Sequence, residues 1–269
     1  EMVIRDWSSD VCSSDLRPVS AILIAYNEER RLSACLERLL WTDEIVVVDS
    51  GSTDATKDIA NKYTERVFEV PWQGFGPQKQ AAVELATHDW VLVVDCDELV
   101  TSQLADEVVT LLGLPEIKAG YDVPRRTFIG TKEIKHCGWY PDRTVRLFDR
   151  TKARFSKSLV HECVEVRGET GSLQGDLLHY SYAGIGDMLP KIGQYSDLWA
   201  QQMHAAGKRN SFVALLIKPL AAFIKTYLLK RGALDGFEGL VISVSTAFLT
   251  FLKYAKLRER SRTAPTPTP

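Results

Sequence analysis

The 269 residues suit one large domain, or one domain with an appendage. Hydrophobic residues at 45% and charged residues at 25% are ordinary globular usage, enough for a sizeable core. A formal net charge of −2 excludes the basic balance of a nucleic-acid binder, and five scattered cysteines without a CxxC pair fit a reduced, cytosolic compartment rather than a disulfide framework.

Residues 1–16 carry no apolar core of signal-peptide length and repeat Ser-Ser-Asp at Ser8 to Asp10 and Ser13 to Asp15. They are expected to be a tail or a foreign segment outside the fold. The apolar run Val19 to Ala25 reads as a buried strand that delivers Asn27 and Glu28 at its C-terminal end. Leu32, Cys35, Leu36, Leu39 and Leu40 recur at helical spacing. Glu44 to Asp49 is a second buried strand, followed by Ser50-Gly51-Ser52-Thr53-Asp54. A helix is expected from Thr56 to Tyr63, with Thr53 or Asp54 as its cap. A short strand at Val67 to Val70, a helix from Gln78 to Ala86, a strand from Trp90 to Val94 and a helix from Ser102 to Leu112 complete the regular part.

Four strand–helix alternations with short connections predict an open, mostly parallel sheet with helices on both faces. Ligands bind such sheets outside the carboxyl ends of the strands. Three polar clusters fall at those ends: Asn27-Glu28, Asp49 to Asp54, and Asp95-Cys96-Asp97-Glu98. Paired carboxylates at a strand tip suit a hard divalent cation, Mg²⁺ or Mn²⁺, bridged to phosphates. Each cluster taken alone is equally an ordinary turn or helix start. Their joint occurrence favours a site.

After about residue 115 the pattern loosens. Gly120 to Thr127, Thr144 to Phe148 and Glu162 to Val166 read as less regular strands. From Ile185 the chain is helical and increasingly apolar, and Thr263 to Pro269 is a Pro/Thr tail. The apolar stretches Phe212 to Ile217, Leu220 to Leu229 and Leu240 to Leu252 are interrupted, each short of the about 20 residues that cross a bilayer. Lys208, Arg209, Lys218, Lys225, Lys230 and Arg231 punctuate them. Basic amphipathic helices of this kind are expected to lie at an anionic membrane surface. A hairpin packed on the core or on another subunit is the alternative.

Ile24-Ala-Tyr-Asn-Glu28, Val46 to Asp54 and Val93-Val-Asp-Cys-Asp-Glu98, in this order and spacing, resemble the family 2 glycosyltransferases of GT-A fold. The resemblance covers roughly residues 18 to 180. It implies an α/β, Rossmann-like catalytic domain over residues 17–184, followed by amphipathic helices over 185–262. It also implies inverting transfer from a nucleotide-diphosphate sugar, usually UDP-linked. Carried over, Asn27, Glu28, Asp49, Ser50 and Gly51 meet the nucleotide, and Asp95 and Asp97 hold the metal and the ribose-diphosphate. Cys96 departs from the small residues usual there. Pro71 to Lys79, Gly138 to Arg143 and the C-terminal region are similar to bacterial lipopolysaccharide inner-core glucosyltransferases acting on heptose. That likeness implies a lipid-linked or lipopolysaccharide acceptor, a UDP-glucose donor, and a place on the inner face of the cytoplasmic membrane.

Inverting transfer needs a base beside the acceptor hydroxyl. Glu162 is the first candidate, because the family's base lies in this later region, then Asp142 and His161. Lys79 is expected at a phosphate or the uracil. Arg143 and Arg146 are expected to share a strand face and to meet phosphate or an anionic acceptor. His179 is a further possible metal ligand. The rival readings are a sugar nucleotidyltransferase, which lacks its Gly-rich basic loop here, and an inactive nucleotide-sugar-binding protein docked on a membrane.

Overall fold

The computed structural model describes residues 16–156 and 163–262. In chain order the elements are β1 (Val19–Ala25), α1 (Leu32–Glu37), β2 (Glu44–Asp49), α2 (Thr56–Ala60), β3 (Val67–Glu69), α3 (Phe75–Leu85), β4 (Trp90–Val93), β5 (Glu98–Val100) and α4 (Ser102–Leu112). There follow β6 (Gly120–Ile129), β7 (Lys132–Ile134), β8 (Asp142–Asp149), β9 (Ala153–Phe155), β10 (Val164–Val166), β11 (Thr170–Ser172) and β12 (Leu177–Tyr182). The helices α5 (Met188–Ala205), α6 (Phe212–Ile224) and α7 (Gly236–Arg262) close the chain.

These form two compact units. The first runs to Val123 and resumes over Val145–Asp176; the second holds Pro124–Thr144 and everything from Leu177. Residues 177–184 and 124–144, expected with the catalytic strands, thus cluster with the C-terminal helices.

In the first unit β3, β2, β1 and β4 pair in parallel, in that spatial order, and β8 joins β4 antiparallel. Strands β1, β2 and β4 are rich in Val, Ile and Leu because both sheet faces are covered, whereas β3 at the edge is partly exposed. Ile22, Val46, Val48, Val91 and Val93 build the core with Ala82 and Val83 of α3 and with Phe148 and Phe155. Leu32, Cys35 and Leu36 bury one face of α1, as their spacing predicts. Thr101 caps α4 by accepting from the Leu104 N–H at 3.2 Å. The expected cap of α2 is displaced. Ala55 occupies that position, while Asp54 accepts from the Thr56 N–H at 3.0 Å, within an Asx-type turn. The helix before β4 begins at Phe75, earlier than Gln78, because Gly74 at φ +106° turns the chain into it.

In the second unit the end of β6 pairs with β7 antiparallel and with β12 in parallel. Helix α7 packs against both α5 and α6. The apolar stretches are longer as structure than as sequence. Helix α6 accommodates Pro219 and continues through a π-helical turn over Lys225–Leu229, giving 18 residues, and Gly232–Arg262 is helical over 31. Both are long and apolar enough to cross a membrane by length and composition.

The start of α7 tolerates no side chain at Gly239, where a Cβ would lie 1.8 Å from the Gly232 carbonyl oxygen. Gly239→Ala is expected to destabilise the protein by about 1–3 kcal/mol through overpacking. Gly193→Ala in α5, where nothing lies within 4 Å of the added carbon, is expected to be neutral or to stabilise by about 0.5–1 kcal/mol. Urea denaturation of the two variants checks the contrast.

Candidate active site

The tips of β1, β2 and β4 stand side by side, since β1 pairs with both of the others. The tips of β2 and β4 are therefore two strand spacings apart, roughly 10 Å.

Backbone and side chains stitch the first two tips together. Asn27 sits at φ 55°, a left-handed conformation that Asn adopts more readily than most residues. Its Oδ1 accepts from the Thr53 N–H at 2.8 Å, and its own N–H donates to Ser52 Oγ at 2.9 Å. The Glu28 N–H donates to Thr56 Oγ1 at 2.8 Å. Asp49 is fully buried, and its Oδ2 accepts from the N–H groups of Gly51 and Ser52, both at 2.8 Å. Gly51, at φ +90°, makes that turn possible. Asp49 Oδ1 has no hydrogen-bond partner among the described residues. Beside it, buried Gln78 donates from Nε2 to Ser50 Oγ at 3.1 Å and to the Val70 carbonyl at 2.9 Å, while its Oε1 is likewise unmatched. An unpaired buried acceptor costs about 1–3 kcal/mol. Two in one corner mark a place that groups bearing N–H or O–H would satisfy.

The β4 tip is an ion-pair cluster. Asp95 Oδ1 faces Lys79 Nζ at 2.9 Å and Oδ2 faces Arg146 Nη2 at 2.7 Å. The same Arg146 nitrogen lies 2.5 Å from Glu98 Oε1, and Glu98 Oε2 accepts from the Asp95 N–H at 3.0 Å. Glu98 and Arg146 are buried. Burial alone would raise the Asp95 carboxyl, but Arg146 and then Lys79 outweigh it and hold the group well below the usual carboxylate range. Burial likewise works against the charge of Arg146, and Asp95 and Glu98 override it to push the guanidinium further up. Because folding depresses the Asp95 value, its contribution to stability is fully present above the unfolded value, about 3.9, and fades as pH falls below it toward the folded value. Cys96 is turned inward, its Sγ donating to the Ile24 carbonyl at 3.3 Å. Burial pushes the thiols of Cys35 and Cys96 up, so both stay protonated.

Asp97 is differently placed. Its side chain, 21% exposed against 27% for Asp95, has Arg31 Nη1 at 3.8 Å. Among the described residues no three His, Cys, Asp or Glu side chains converge on one point. A carboxylate pair without a protein cage is the donor set Mg²⁺ and Mn²⁺ use when substrate phosphates and water complete their shell. The residues therefore fit such an ion, with Asp95 and Asp97 as the two carboxylates at the strand tip.

Elsewhere the structure redraws several expectations. Arg143 and Arg146 do not share a face. A strand alternates with period two, so residues three apart point opposite ways, and here Arg146 is buried while Arg143 is exposed. Lys79 is not a surface lysine but a buried one, committed to Asp95. Asp142 is ion-paired with Arg125 in the second unit. His179 lies on β12 of the same unit, its ring 3.0 Å from Ser181 Oγ. Glu162 and His161 lie outside the described residues. Sequence reading missed Gln78 and the part Glu98 plays. A polar residue within an apolar helical face was the only available signal for Gln78. A pocket of about 390 Å³ opens at the other end of β2. Its carboxylates are already engaged, Glu44 by Ser20, Thr87 and Arg66 and Asp43 by the Val19 N–H.

Replacing Arg146 with Met should cost about 3–5 kcal/mol, because it leaves Glu98 buried and uncompensated. The double variant Arg146→Met/Glu98→Gln should recover part of that loss. Denaturant midpoints of the single and double variants measure both.

Three findings place the chain among known proteins. The pattern of glycosyl transferase family 2 matches residues 20–165, more than half of the sequence. The lipopolysaccharide core biosynthesis glycosyltransferase LpsC of Rhizobium meliloti is 33% identical over 255 residues, 90% of this chain and 93% of that protein. An uncharacterized glycosyltransferase of Rickettsia typhi is 29% identical over 258 residues, 91% of this chain and 88% of that one. Among solved structures, glucosyl-3-phosphoglycerate synthase from Mycobacterium tuberculosis, in complex with Mn²⁺ and uridine-diphosphate-glucose, shares 26% identity. It covers 42% of this chain and 44% of that one at a TM-score of 0.35, a partial likeness on which no assignment rests. The motifs at the three strand tips, the family match across them and the near full-length likeness to LpsC agree: the chain belongs to glycosyl transferase family 2 and is a glycosyltransferase.

Proposed function

We propose that the enzyme moves a sugar, glucose, from its UDP-linked form to a lipid-linked or lipopolysaccharide-core acceptor at the inner face of the cytoplasmic membrane. The observation that carries the donor reading is the pair of unmatched buried acceptors, Asp49 Oδ1 and Gln78 Oε1, at the tip of β2. A uracil N–H and ribose hydroxyls are donors of the kind they lack. The acidic tip of β4 lies roughly 10 Å away, the span from a nucleoside to its diphosphate. The nearly full-length likeness to LpsC supports a lipopolysaccharide-core acceptor.

On this reading Asn27, Glu28, Ser50 and Gly51 shape the nucleoside end, and Gly51 lets the backbone approach it closely. A divalent ion, Mg²⁺ or Mn²⁺, would be held by Asp97, beside Asp95, and would supply charge neutralisation for the departing diphosphate. Lys79 and Arg146 fix the Asp95 carboxylate so that the rim keeps one shape whether or not donor is present. Glu162 takes the proton from the acceptor hydroxyl. The oxygen then bonds to the anomeric carbon from the face opposite the diphosphate, as the carbon–oxygen bond to that diphosphate breaks and UDP leaves. Configuration at the carbon inverts. Asp142, paired with Arg125, and His161 are the weaker candidates for the base, Arg143 is a candidate for contact with an anionic acceptor, and His179 is a secondary ligand candidate. The apolar helices α6 and α7 keep the enzyme at the surface that carries its acceptor.

The test is turnover of a panel of UDP-sugars with lipopolysaccharide-core acceptors, in Mg²⁺ or Mn²⁺, by the wild type and Asp97→Ala. UDP-glucose should be consumed only with metal, and the variant should lose on the order of 10²–10³ in rate, the scale of removing one group that stabilises developing charge. Equal turnover by Asp97→Ala, or nucleotidyl transfer in place of sugar transfer, would refute the reading.

A further inference from the structure

The C-terminal helices are long enough to cross a membrane, yet the way they are tied down argues against crossing. All the groups concerned belong to the second unit. The turn between α6 and α7 is locked onto the loop after β7. Buried Asp235 accepts from the backbone N–H groups of Lys135 and His136, at 3.2 and 2.8 Å, and lies 2.9 Å from His136 Nδ1. The Cys137 N–H donates to the Lys230 carbonyl at 3.0 Å. Carrying this turn through a bilayer would drag with it the charged β6–β7 hairpin, including the bidentate Arg126–Glu133 pair. Buried lipid surroundings penalise such groups heavily.

The surfaces of the two helices say what they meet instead. On α6 and the turn that continues it, Val213, Leu216, Leu220, Ile224 and Leu228 recur at steps of three and four, and all are exposed. On α7, Phe237, Leu240, Val244, Phe248 and Phe251 do the same. No residue of α6 is buried, although it packs on α7, which also packs against α5. Lys218 and Lys225 stand two helical turns apart on one flank of the α6 stripe, where the heads of a lipid layer would be and where a spanning helix would bury them. At the open end of the hairpin, Asn210 Nδ2 donates to the Tyr254 carbonyl at 2.9 Å and the Arg258 guanidinium lies over the Phe212 ring at 5.8 Å. Lys208, Arg209 and Arg262 lie near that end in sequence and add to its positive charge.

Resting on the membrane reading above, we propose that the α6–α7 hairpin docks side-on into one leaflet of an anionic bilayer. Both apolar stripes enter the acyl boundary and Lys218 and Lys225 meet the headgroups. The turn at Gly232–Asp235 stays on the same side as β6 and β7.

Two measurements on the full chain test this. The first is flotation with vesicles of phosphatidylglycerol and phosphatidylethanolamine, compared with phosphatidylcholine alone. The wild type should float with the anionic vesicles. Leu220→Asp, at a position 61% exposed and so tolerated by the fold, should lose binding at least tenfold, with an unchanged circular dichroism spectrum. Lys218→Gln/Lys225→Gln should lose roughly 20- to 30-fold on anionic lipid. The second places a cysteine at the turn, Leu234→Cys, in a Cys12→Ser/Cys163→Ser background, and labels it with an impermeant maleimide in bacterial membranes. Labelling in inverted inner-membrane vesicles but not in spheroplasts supports side-on docking. Labelling only from spheroplasts overturns it and leaves the membrane reading standing. Failure to float, with a concentration-dependent dimer that Leu220→Asp dissolves, assigns the face to a second copy and overturns both, while sugar transfer in detergent remains an independent result.

Discussion

The structure turns on one half-buried carboxylate, Asp95, held between two buried cations. Its oxygens meet Lys79 at 2.9 Å and Arg146 at 2.7 Å, and Arg146 is shared with Glu98. Charges taken out of water are costly unless each is matched. Here they are matched almost completely, so the cluster has little freedom to rearrange. It ties the end of β4 to α3, through Lys79, and to β8, through Arg146. The tip of the central strands is thereby a fixed object, not a solvated turn.

That rigidity bears on the chemistry proposed. Preorganised charge acts on a developing negative charge without reorganising at the moment of reaction. Asp95 is held by Lys79 and Arg146, Asp97 stands two residues on with Arg31 at 3.8 Å, and the neighbouring β2 tip presents acceptors that nothing among the described residues satisfies. On the proposed reading, one end of the rim would take donors, such as a base and its ribose, and the other a cation and phosphate. A family of sugar transferases that use nucleotide donors has use for both, side by side.

Much of this was legible in the sequence, for physical reasons. The runs Ile22 to Ala25, Ile45 to Val48 and Val91 to Val94 are apolar on both faces, which only a covered parallel sheet explains, and polar clusters at their ends follow from that sheet's topology. The family motifs fell at the same places. The pairing of Asp95 with Arg146 was not legible, since the two are 51 residues apart and Arg146 lies on an antiparallel strand whose register the sequence leaves open. Arg143 and Arg146 were wrongly given one face where strand periodicity separates them. Gln78 and Glu98 were hidden for another reason: a buried polar side chain looks like a surface one until its neighbours are known. At the C-terminus, Lys218 and Pro219 interrupted the apolar pattern, yet the helix runs through both, so its length was underestimated.

The most direct measurement is a calorimetric titration of UDP with and without Mn²⁺, on the wild type and Asp97→Asn. If the two strand tips form one nucleotide-diphosphate site, Mn²⁺ tightens UDP at least tenfold and UDP tightens Mn²⁺ by the same factor, as linkage requires. Asp97→Asn should abolish that coupling and leave uridine binding unchanged. UDP that binds equally well with and without the ion, or that does not bind at all, would contradict the account.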